Sequence, residues 1–331
     1  MRSAPRCDDF PFDASGLDRL TIHRYRIELV ARERVVAPPH RLPNMLRGAF
    51  EIAFRRLVCH DLDLACTVCP LLGTCPYPAV FRPAPPRDSD RLSKAQDLPR
   101  PFVFEAPLDG RDVLEAGEAL EIGLTVFGSA NRWLPYLVVA LRAFADRGLG
   151  PTRGRLRLVR VTALSVSGRH DVFDATRDVI VPSTEGVRLP QLLRPGDGEA
   201  RRVRIRFLTP TTLKRDGKLV ERPSFADVTC RLRDRLSSLA AFFGDGALEM
   251  DFAGVGRVAA SVRTVECQTE WLRRTRRSSR TGDVHELSGF VGEAVYEGEL
   301  GGWTALLRMG EAVHVGTYAV WGNGRVEMET T

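Results

Sequence analysis

The order of strand-like and helix-like segments constrains the fold of this chain more than any other feature. Alternating apolar and polar residues are typical of strands with one buried face, whereas apolar residues three or four positions apart are typical of helices. In the first half, alternation marks strands at Leu20–Ala31, Leu120–Phe127 and Arg155–Ser165. Helical spacing predicts helices over Met45–Val58 and Asn131–Arg147, so helices and strands alternate along this half.

The second half of the chain repeats this order of segments. Its predicted elements are a strand, a helix, two strands, a short helix and a final strand: Arg202–Phe207, Phe225–Phe243, Arg257–Thr269, Phe290–Glu299, Gly302–Met309 and Glu311–Val320. Each half thus approximates the ferredoxin-like order, in which helices cover one face of an antiparallel sheet. We predict an α+β protein with two ferredoxin-like domains in tandem.

The length of 331 residues suits about two domains of ordinary size. The first predicted domain covers residues 1–165 and carries a four-cysteine insertion at 59–100, which is also rich in proline. Residues 166–199 have little pattern and are predicted to form a linker with a short strand. The second predicted domain covers residues 200–331 and contains a glycine-rich loop near its end.

No apolar run approaches the roughly 18–20 residues that span a bilayer, and the first nine residues lack the hydrophobic core of a signal peptide. We therefore expect a cytoplasmic protein without a membrane partner. In that compartment, seven cysteines argue for a metal or for free thiols before disulfides.

Four of these cysteines form a compact cluster with the spacing C-x6-C-x2-C-x5-C. They are Cys59, Cys66, Cys69 and Cys75. The two-residue gap lets a pair of sulfur atoms reach one ion, so the spacing predicts a structural Zn²⁺ held by four thiolates, and His60 could replace one ligand. An iron–sulfur cluster and four free cysteines remain alternatives.

A basic segment lies between Trp271 and Arg280. It holds five arginines and no acidic residue: Arg273, Arg274, Arg276, Arg277 and Arg280. Such a cluster can neutralise several phosphates, although a solvated hairpin loop is the simpler alternative. The glycine-rich end, with Gly316, Gly322, Gly324 and then Arg325, could present backbone N–H groups to phosphates. We predict that both segments bind nucleic acid.

In the order of its short motifs, the chain resembles the CRISPR-associated RAMP endoribonucleases that process precursor CRISPR RNA, the Cas-six type. The motifs are Leu46–Phe50 with Arg55 and Arg56, Cys75–Tyr77, Leu124–Gly128, Gly148–Gly150 with Arg153, Phe207–Thr211, Gly289–Gly292, and Gly316 with Gly322–Gly324.

The resemblance implies tandem ferredoxin-like (RAMP/RRM-like) domains that bind CRISPR repeat RNA. It also implies cleavage without metal, in which the 2′-hydroxyl attacks and leaves a 2′,3′-cyclic phosphate. The product, crRNA, would pass to other Cas proteins of an effector complex.

In this family a catalytic histidine usually lies near the first helix, which implies His40 as general base and His60 as second choice. Arg47 could stabilise the charge that develops on the phosphorane. Because catalytic groups vary among members, a non-catalytic RAMP subunit that binds RNA in an effector complex is the alternative. A zinc-stabilised regulator that binds DNA is a third.

Overall fold

A computed structural model describes residues 14–84, 98–108, 111–277, 282 and 284–330. These residues fall into two compact units. The first unit is residues 21–187, and the second unit is residues 14–20 together with 188–330. The predicted linker at 166–199 is divided between the two units: residues 166–187 belong to the first unit and residues 188–199 to the second. No helix in these described ranges is long and apolar enough to cross a membrane.

The first unit is built on a six-stranded antiparallel sheet. The strands of this unit, inside and outside that sheet, are β1 (Ile22–Ala31), β2 (Val35–Val36), β3 (Phe102–Glu105), β4 (Val113–Leu114), β5 (Ala119–Phe127), β6 (Leu156–Ser165), β7 (Gly168–Asp174) and β8 (Val179–Ile180). Its α-helices are α1 (Leu42–Val58), α2 (Pro76–Phe81) and α3 (Leu134–Arg147). The sheet order is β3-β5-β1-β6-β7-β8, and β2 pairs with β4 separately.

The core of the first unit forms where α1 and α2 meet the sheet. Phe50 of α1 packs against Phe81 of α2 and against Phe102 and Phe104 of β3, with ring centroids 5.3 to 5.9 Å apart. Helix α1 begins at Leu42, three residues before the predicted start, because a helix tolerates the missing N–H of Pro43 in its first turn. Helix α2 lies within the predicted four-cysteine insertion at 59–100, for which no helix was predicted.

The second unit has a four-stranded antiparallel sheet and two small two-stranded ribbons. Its strands are β9 (Arg202–Thr211), β10 (Lys214–Arg215), β11 (Lys218–Leu219), β12 (Arg263–Leu272), β13 (Thr275–Arg277), β14 (Val284–Glu286), β15 (Gly289–Glu297) and β16 (Val326–Thr330). Its α-helices are α4 (Leu189–Leu192), α5 (Phe225–Phe243), α6 (Phe252–Ser261) and α7 (Gly301–Val313). The sheet order is β12-β15-β9-β16.

Both units place their first long strand inside the sheet. Strand β1 pairs with β5 and β6, and β9 pairs with β15 and β16, all antiparallel. The mixed α/β fold with antiparallel sheets is thereby confirmed. The strand predicted at Arg257–Thr269 is wrong at its start, because residues 252–261 form α6. The strand predicted at Glu311–Val320 is wrong throughout, because residues 311–313 end α7 and the last strand is β16. Small and apolar residues dominate both stretches, so their apolar runs do not separate a strand from a buried helix.

A buried ion pair anchors α7 in the second unit. The guanidinium of Arg308 donates to both carboxylate oxygens of Asp197, at 3.0 and 2.9 Å, and also to the carbonyl of Met328 at 3.0 Å. The two charged side chains are only 2% and 3% exposed. Burial is the largest influence and by itself raises the pKa of the Asp197 carboxyl. Hydrogen bonds from Arg308 and from the Arg194 N–H, together with the charges of both arginines, outweigh burial and hold the pKa below its ordinary value.

We expect Asp197→Ala to destabilise the second unit by about 3 kcal/mol, because the buried Arg308 charge loses its two-bond partner and keeps only the longer pair with Glu311, at 3.3 Å. Glu299→Ala, which breaks the exposed pair with Arg201 in the same unit, should cost less than about 1 kcal/mol. Urea denaturation of the two variants measures the difference. Since the folded pKa of Asp197 is lowered, its contribution should persist above about pH 4 and fade as the pH falls below that. Equal losses in the two variants would contradict this role.

Candidate nucleic-acid interface

Two loops of the second unit meet at the carboxyl end of β9. Strand β15 enters the sheet with Phe290 opposite Thr211, and β16 enters with Val326 opposite Phe207. The β13–β14 hairpin precedes β15, and the glycine-rich loop precedes β16. The sheet register therefore brings the predicted basic segment beside the predicted glycine-rich loop.

The hairpin and the loop touch through a tryptophan. Arg276 and His285 face each other across β13 and β14, so their side chains share one face. The Arg276 guanidinium lies 4.8 Å from the ring centroid of Trp321, and the His285 ring meets the same indole edge-on at 5.6 Å. We call Arg276, His285, Tyr318 and Trp321 the aromatic cluster. The cluster combines a cation with π surfaces, a pairing that is worth about 0.5–2 kcal/mol in itself.

Tyr318 is the exposed member of the aromatic cluster. Its ring stacks on Trp321 at 5.5 Å with an interplanar angle of 13°, and 39% of the residue is exposed. Its backbone has φ of +63°, a left-handed conformation that is rare for a bulky residue and costs roughly 1–2 kcal/mol. Strain of this kind is common at functional sites. The loop therefore holds a flat aromatic face toward solvent at an energetic cost.

Buried polar contacts fix the loop against the hairpin. The amide of Asn323 donates to the carbonyl of Leu287 at 3.0 Å, and the ring Nδ1 of His314 lies 3.1 Å from the carbonyl of Asn323. Leu287 in turn donates its N–H to the carbonyl of Arg274. His314 caps the end of α7 and is fully buried, so it does not lie in the strand predicted for residues 311–320.

The predicted arginines differ in their surroundings. Arg273 is exposed, and Arg274 is half-buried, so that desolvation lowers its pKa. The backbone of Arg277 pairs with Val284, while Arg280 lies outside the described residues. By contrast, the arginines of β9 pair with glutamates of neighbouring strands: Arg202 with Glu297, Arg204 with Glu293, and Arg206 with Glu329. The charges on β9 are therefore neutralised within the protein.

The glycines of the loop permit close packing. A Cβ on Gly324 would lie 1.8 Å from the carbonyl oxygen of Val315, and one on Gly316 would lie 2.6 Å from that of Thr212. The N–H groups of Gly322 and Gly324 donate to the carbonyls of Ala319 and Pro210. These two N–H groups are thus already used, which contradicts their predicted presentation to phosphates. For Gly316 and Arg325 the nucleic-acid contact stays a prediction.

The predicted catalytic residues all lie around α1 in the first unit. His40 is exposed in the turn before the helix, and His60 is exposed just beyond its end. Since α1 has 17 residues, about 25 Å of helix separates the two imidazoles. They do not form one acid–base pair. Arg47 is buried and donates to Glu51 at 2.6 Å, and Tyr77 donates to the same carboxylate at 3.0 Å. Arg47 therefore serves the packing of α1 against α2.

The four clustered cysteines line one pocket. Cys59, Cys66, Cys69 and Cys75 share it with His60. Burial raises the pKa of the Cys75 thiol, a hydrogen bond from the Tyr77 N–H lowers it by less, and the nearness of the other three cysteines raises it further. Within the part of the chain that the structure describes, no group of three or more His, Cys, Asp or Glu is arranged to hold a metal ion as it stands. The four thiols therefore lie near one another but are not arranged as a complete set of metal ligands.

Two models of known protein families match this chain, one in each half. A family model described as the CRISPR-associated endoribonuclease Cas6 matches residues 205–326, and a model of an N-terminal domain matches residues 20–185. Residues 205–326 therefore form a Cas6-type domain. The aromatic cluster lies within the stretch that matches the Cas6 model.

Relatives and solved structures agree with a Cas6-type fold. A Cas6 from Thermus thermophilus superposes with a TM-score of 0.52 at 16% identity, over 94% of this chain and 99% of that one. A Cas6 product complex has a TM-score of 0.54 at 17% identity, over 93% and 99%. An uncharacterised protein of Archaeoglobus fulgidus is 27% identical over 88% of this chain and 94% of its own length.

Sequence reasoning missed the aromatic cluster of the Cas6-type domain. Tyr318 and Trp321 stand three residues apart among the glycines, and that spacing was the one available signal. Their stacking depends on the left-handed backbone of Tyr318, and their contact with Arg276 and His285 depends on two strand pairings. None of these can be read from local sequence.

We expect Gly324→Ala to destabilise the protein more than Gly196→Ala. Both glycines have positive φ, which costs alanine roughly 1–2 kcal/mol, but a Cβ on Gly196 meets nothing within 4 Å. The clash with Val315 should add about 1–3 kcal/mol and displace Trp321. Thermal melts followed by tryptophan fluorescence measure both effects. Matching melting temperatures would mean that the loop is not closely packed.

Proposed function

We propose that this chain is a Cas6-type endoribonuclease that binds CRISPR repeat RNA and cleaves it out of precursor CRISPR RNA. One observation carries the proposal: the stretch that matches the endoribonuclease family model holds an exposed aromatic surface bordered by arginines. A folded core has no need of such a surface on a strained loop. Single-stranded nucleic acid binds to stacking platforms beside cationic groups.

The finer fold assignment belongs to the same proposal. We assign both units to the ferredoxin-like class of RAMP proteins. In chain order within each unit, the four sheet strands that this assignment uses are arranged 2-3-1-4. Two α-helices lie between the first and second strands, and one lies between the third and fourth. Strands β7 and β8 then extend the sheet of the first unit.

RNA binding would use the side chains of the aromatic cluster. Tyr318 offers an exposed ring on which a base can stack, and Trp321 supports that ring from below. Arg276 lies over the indole, close enough for its charge to reach the phosphate that follows the stacked base. Arg273 adds an exposed charge at the base of the hairpin. Stacking gives affinity with little base selectivity, so repeat recognition requires further contacts.

Cleavage would proceed by internal attack of the 2′-hydroxyl on the adjacent phosphorus. His40, as general base, would take the 2′-hydroxyl proton, the bond from phosphorus to the 5′-oxygen would break, and an acid would protonate that oxygen. The products are a 2′,3′-cyclic phosphate and a 5′-hydroxyl, and no step uses a metal. The nearby N-terminus of α1, a 17-residue helix, favours the anionic phosphate.

A non-catalytic RAMP subunit is the second candidate, and a specific observation favours it. His40 and His60 lie at opposite ends of α1, and the Arg47 charge is already paired with Glu51. Neither His60 nor Arg47 therefore supplies an acid that could protonate the leaving 5′-oxygen. In either case we expect other Cas proteins as partners, an expectation supported by a similar fold within a Cas6-RT-Cas1–Cas2 complex, with a TM-score of 0.56 at 12% identity.

We expect purified protein to cleave repeat RNA in EDTA during short incubations, and His40→Ala to slow cleavage by about 10²–10⁴-fold, the usual worth of a general base. A 2′-deoxy substitution at the scissile nucleotide should abolish the reaction, because it removes the attacking group. Denaturing gels measure both.

His60→Ala is the matched control and should cleave normally. Loss in His60→Ala with activity retained in His40→Ala would move the site to the other end of α1. Tight RNA binding without any cleavage by the wild type would establish the non-catalytic alternative.

We expect Tyr318→Ala and Arg276→Ala to weaken RNA binding in different ways. Loss of stacking should cost about 1–3 kcal/mol and leave the salt dependence unchanged. Loss of one phosphate contact should reduce the slope of log K against log salt by about 0.7. Titrations at several salt concentrations separate the two effects.

Arg204→Ala is the matched control, because its partner Glu293 already neutralises that charge within the sheet. Its binding slope should equal that of the wild type. Identical slopes for Arg276→Ala and Arg204→Ala would mean that the hairpin does not face the RNA.

A further inference from the structure

Burial of apolar side chains does not hold the segment between α1 and α2 in one conformation. None of residues 59–76, all of which the structure describes, is buried. Several of its large apolar side chains are exposed instead: Leu62 by 44%, Val68 by 68%, Leu71 by 45% and Leu72 by 42%. A segment that buries no side chain must offset its conformational entropy in another way, and small segments of this kind commonly use a metal or a disulfide.

Short-range hydrogen bonds nevertheless fold this segment into successive tight turns. The Asp61 carboxylate accepts from the N–H groups of Asp63 and Leu64 at 2.9 and 3.2 Å. Cys69 donates its N–H to the carbonyl of Cys66 at 3.2 Å, and Cys75 donates to Leu71 at 2.8 Å. Two of these three turns end at a cysteine, so they help to direct the thiols.

The turns bring four thiols to one pocket. Cys59 ends α1 and Cys75 precedes α2, so these two come from the flanking helices. Cys66 and Cys69 bracket one turn of 3-10 helix, which puts two sulfur atoms on the same side. All four line a cavity of about 20 Å³.

We propose that Cys59, Cys66, Cys69 and Cys75 bind one Zn²⁺ in a tetrahedral four-thiolate site that ties α1 to α2. On binding, the four thiols release four protons, and four sulfur–zinc bonds of about 2.3 Å form. The Cys59 thiol, which lies 2.9 Å from the Asp61 carbonyl, leaves that contact to reach the ion. A closed site of four sulfurs has no open position for water, so the ion is structural and takes no part in RNA cleavage.

The site would stabilise the base of the α1–α2 pair. These helices already pack through Phe50, Phe54 and Phe81, and Tyr77 of α2 bonds to Glu51 of α1. A metal that joins Cys59 to Cys75 closes the intervening loop at its two ends. Loss of the ion should therefore loosen residues 59–75 and α2 and leave the sheet of the first unit folded.

Metal analysis of the full-length protein tests the proposal without RNA, so it is independent of the proposed function. We expect about one zinc per chain by mass spectrometry after gel filtration. The double substitution Cys66→Ser with Cys69→Ser should lose at least nine-tenths of it. Cys230→Ser with Cys267→Ser is the matched control, because these cysteines lie apart on α5 and β12, and it should keep the full amount. Zinc content that is equal in the two double variants would overturn the site.

Cobalt provides a second readout that needs no variant. Wild-type protein freed of metal should bind one Co²⁺ and develop the absorption bands of tetrahedral cobalt with four thiolates. Bands of a site with three sulfurs and one nitrogen would replace a cysteine by His60 and overturn the ligand set. Iron in the purified protein, with broad visible absorption, would overturn zinc in favour of a cluster. Absence of both zinc and cobalt binding would overturn the proposal altogether.

Discussion

The double pairing of β9 is the constraint on which the candidate interface depends. This strand is hydrogen-bonded to β15 on one side and to β16 on the other, and both neighbours enter the sheet at the carboxyl end of β9. The loops that precede them must therefore meet. Arg276 reaches Trp321 for this reason, although 44 residues of chain lie between them, and a shift of register by one residue would turn the facing side chains away from each other.

The first unit has the same arrangement of strands, but there the strands support an aromatic core. There β1 is the inner strand, and its helices α1 and α2 build an aromatic core around Phe50. Helix α1 is long for such a unit, and its length separates the residues at its two ends by more than any side chain can span. The residues around the cysteine pocket are therefore too far from His40 to take part in a reaction there.

Charge alone is a poor guide to the binding surface of this protein. Arginines are spread along the whole chain, yet those of β9 lie opposite glutamates on β15 and β16 and are neutralised there. The hairpin arginines follow a different pattern, because Arg276 lies over an indole and Arg274 is partly desolvated. What distinguishes the candidate interface is the pairing of cations with aromatic rings and not the number of positive charges.

The sequence by itself determined the longest strands and helices and the faces that those helices bury, since these follow from local periodicity along the chain. The cysteine spacing can also be read directly from it. It also indicated the family, because the order of short motifs survives in the primary structure. It did not determine that residues 252–261 and 311–313 are helical, since short apolar runs suit a strand and a buried helix equally well. Only the tertiary structure decided that β7 and β8 extend the first sheet, that Arg47 is buried against Glu51, and that Tyr318 stacks on Trp321. The extension of the sheet depends on which distant segments pair, the burial of Arg47 on the packing of α1 against α2, and the stacking of Tyr318 on its left-handed backbone. All three are fixed by the packing of the folded unit.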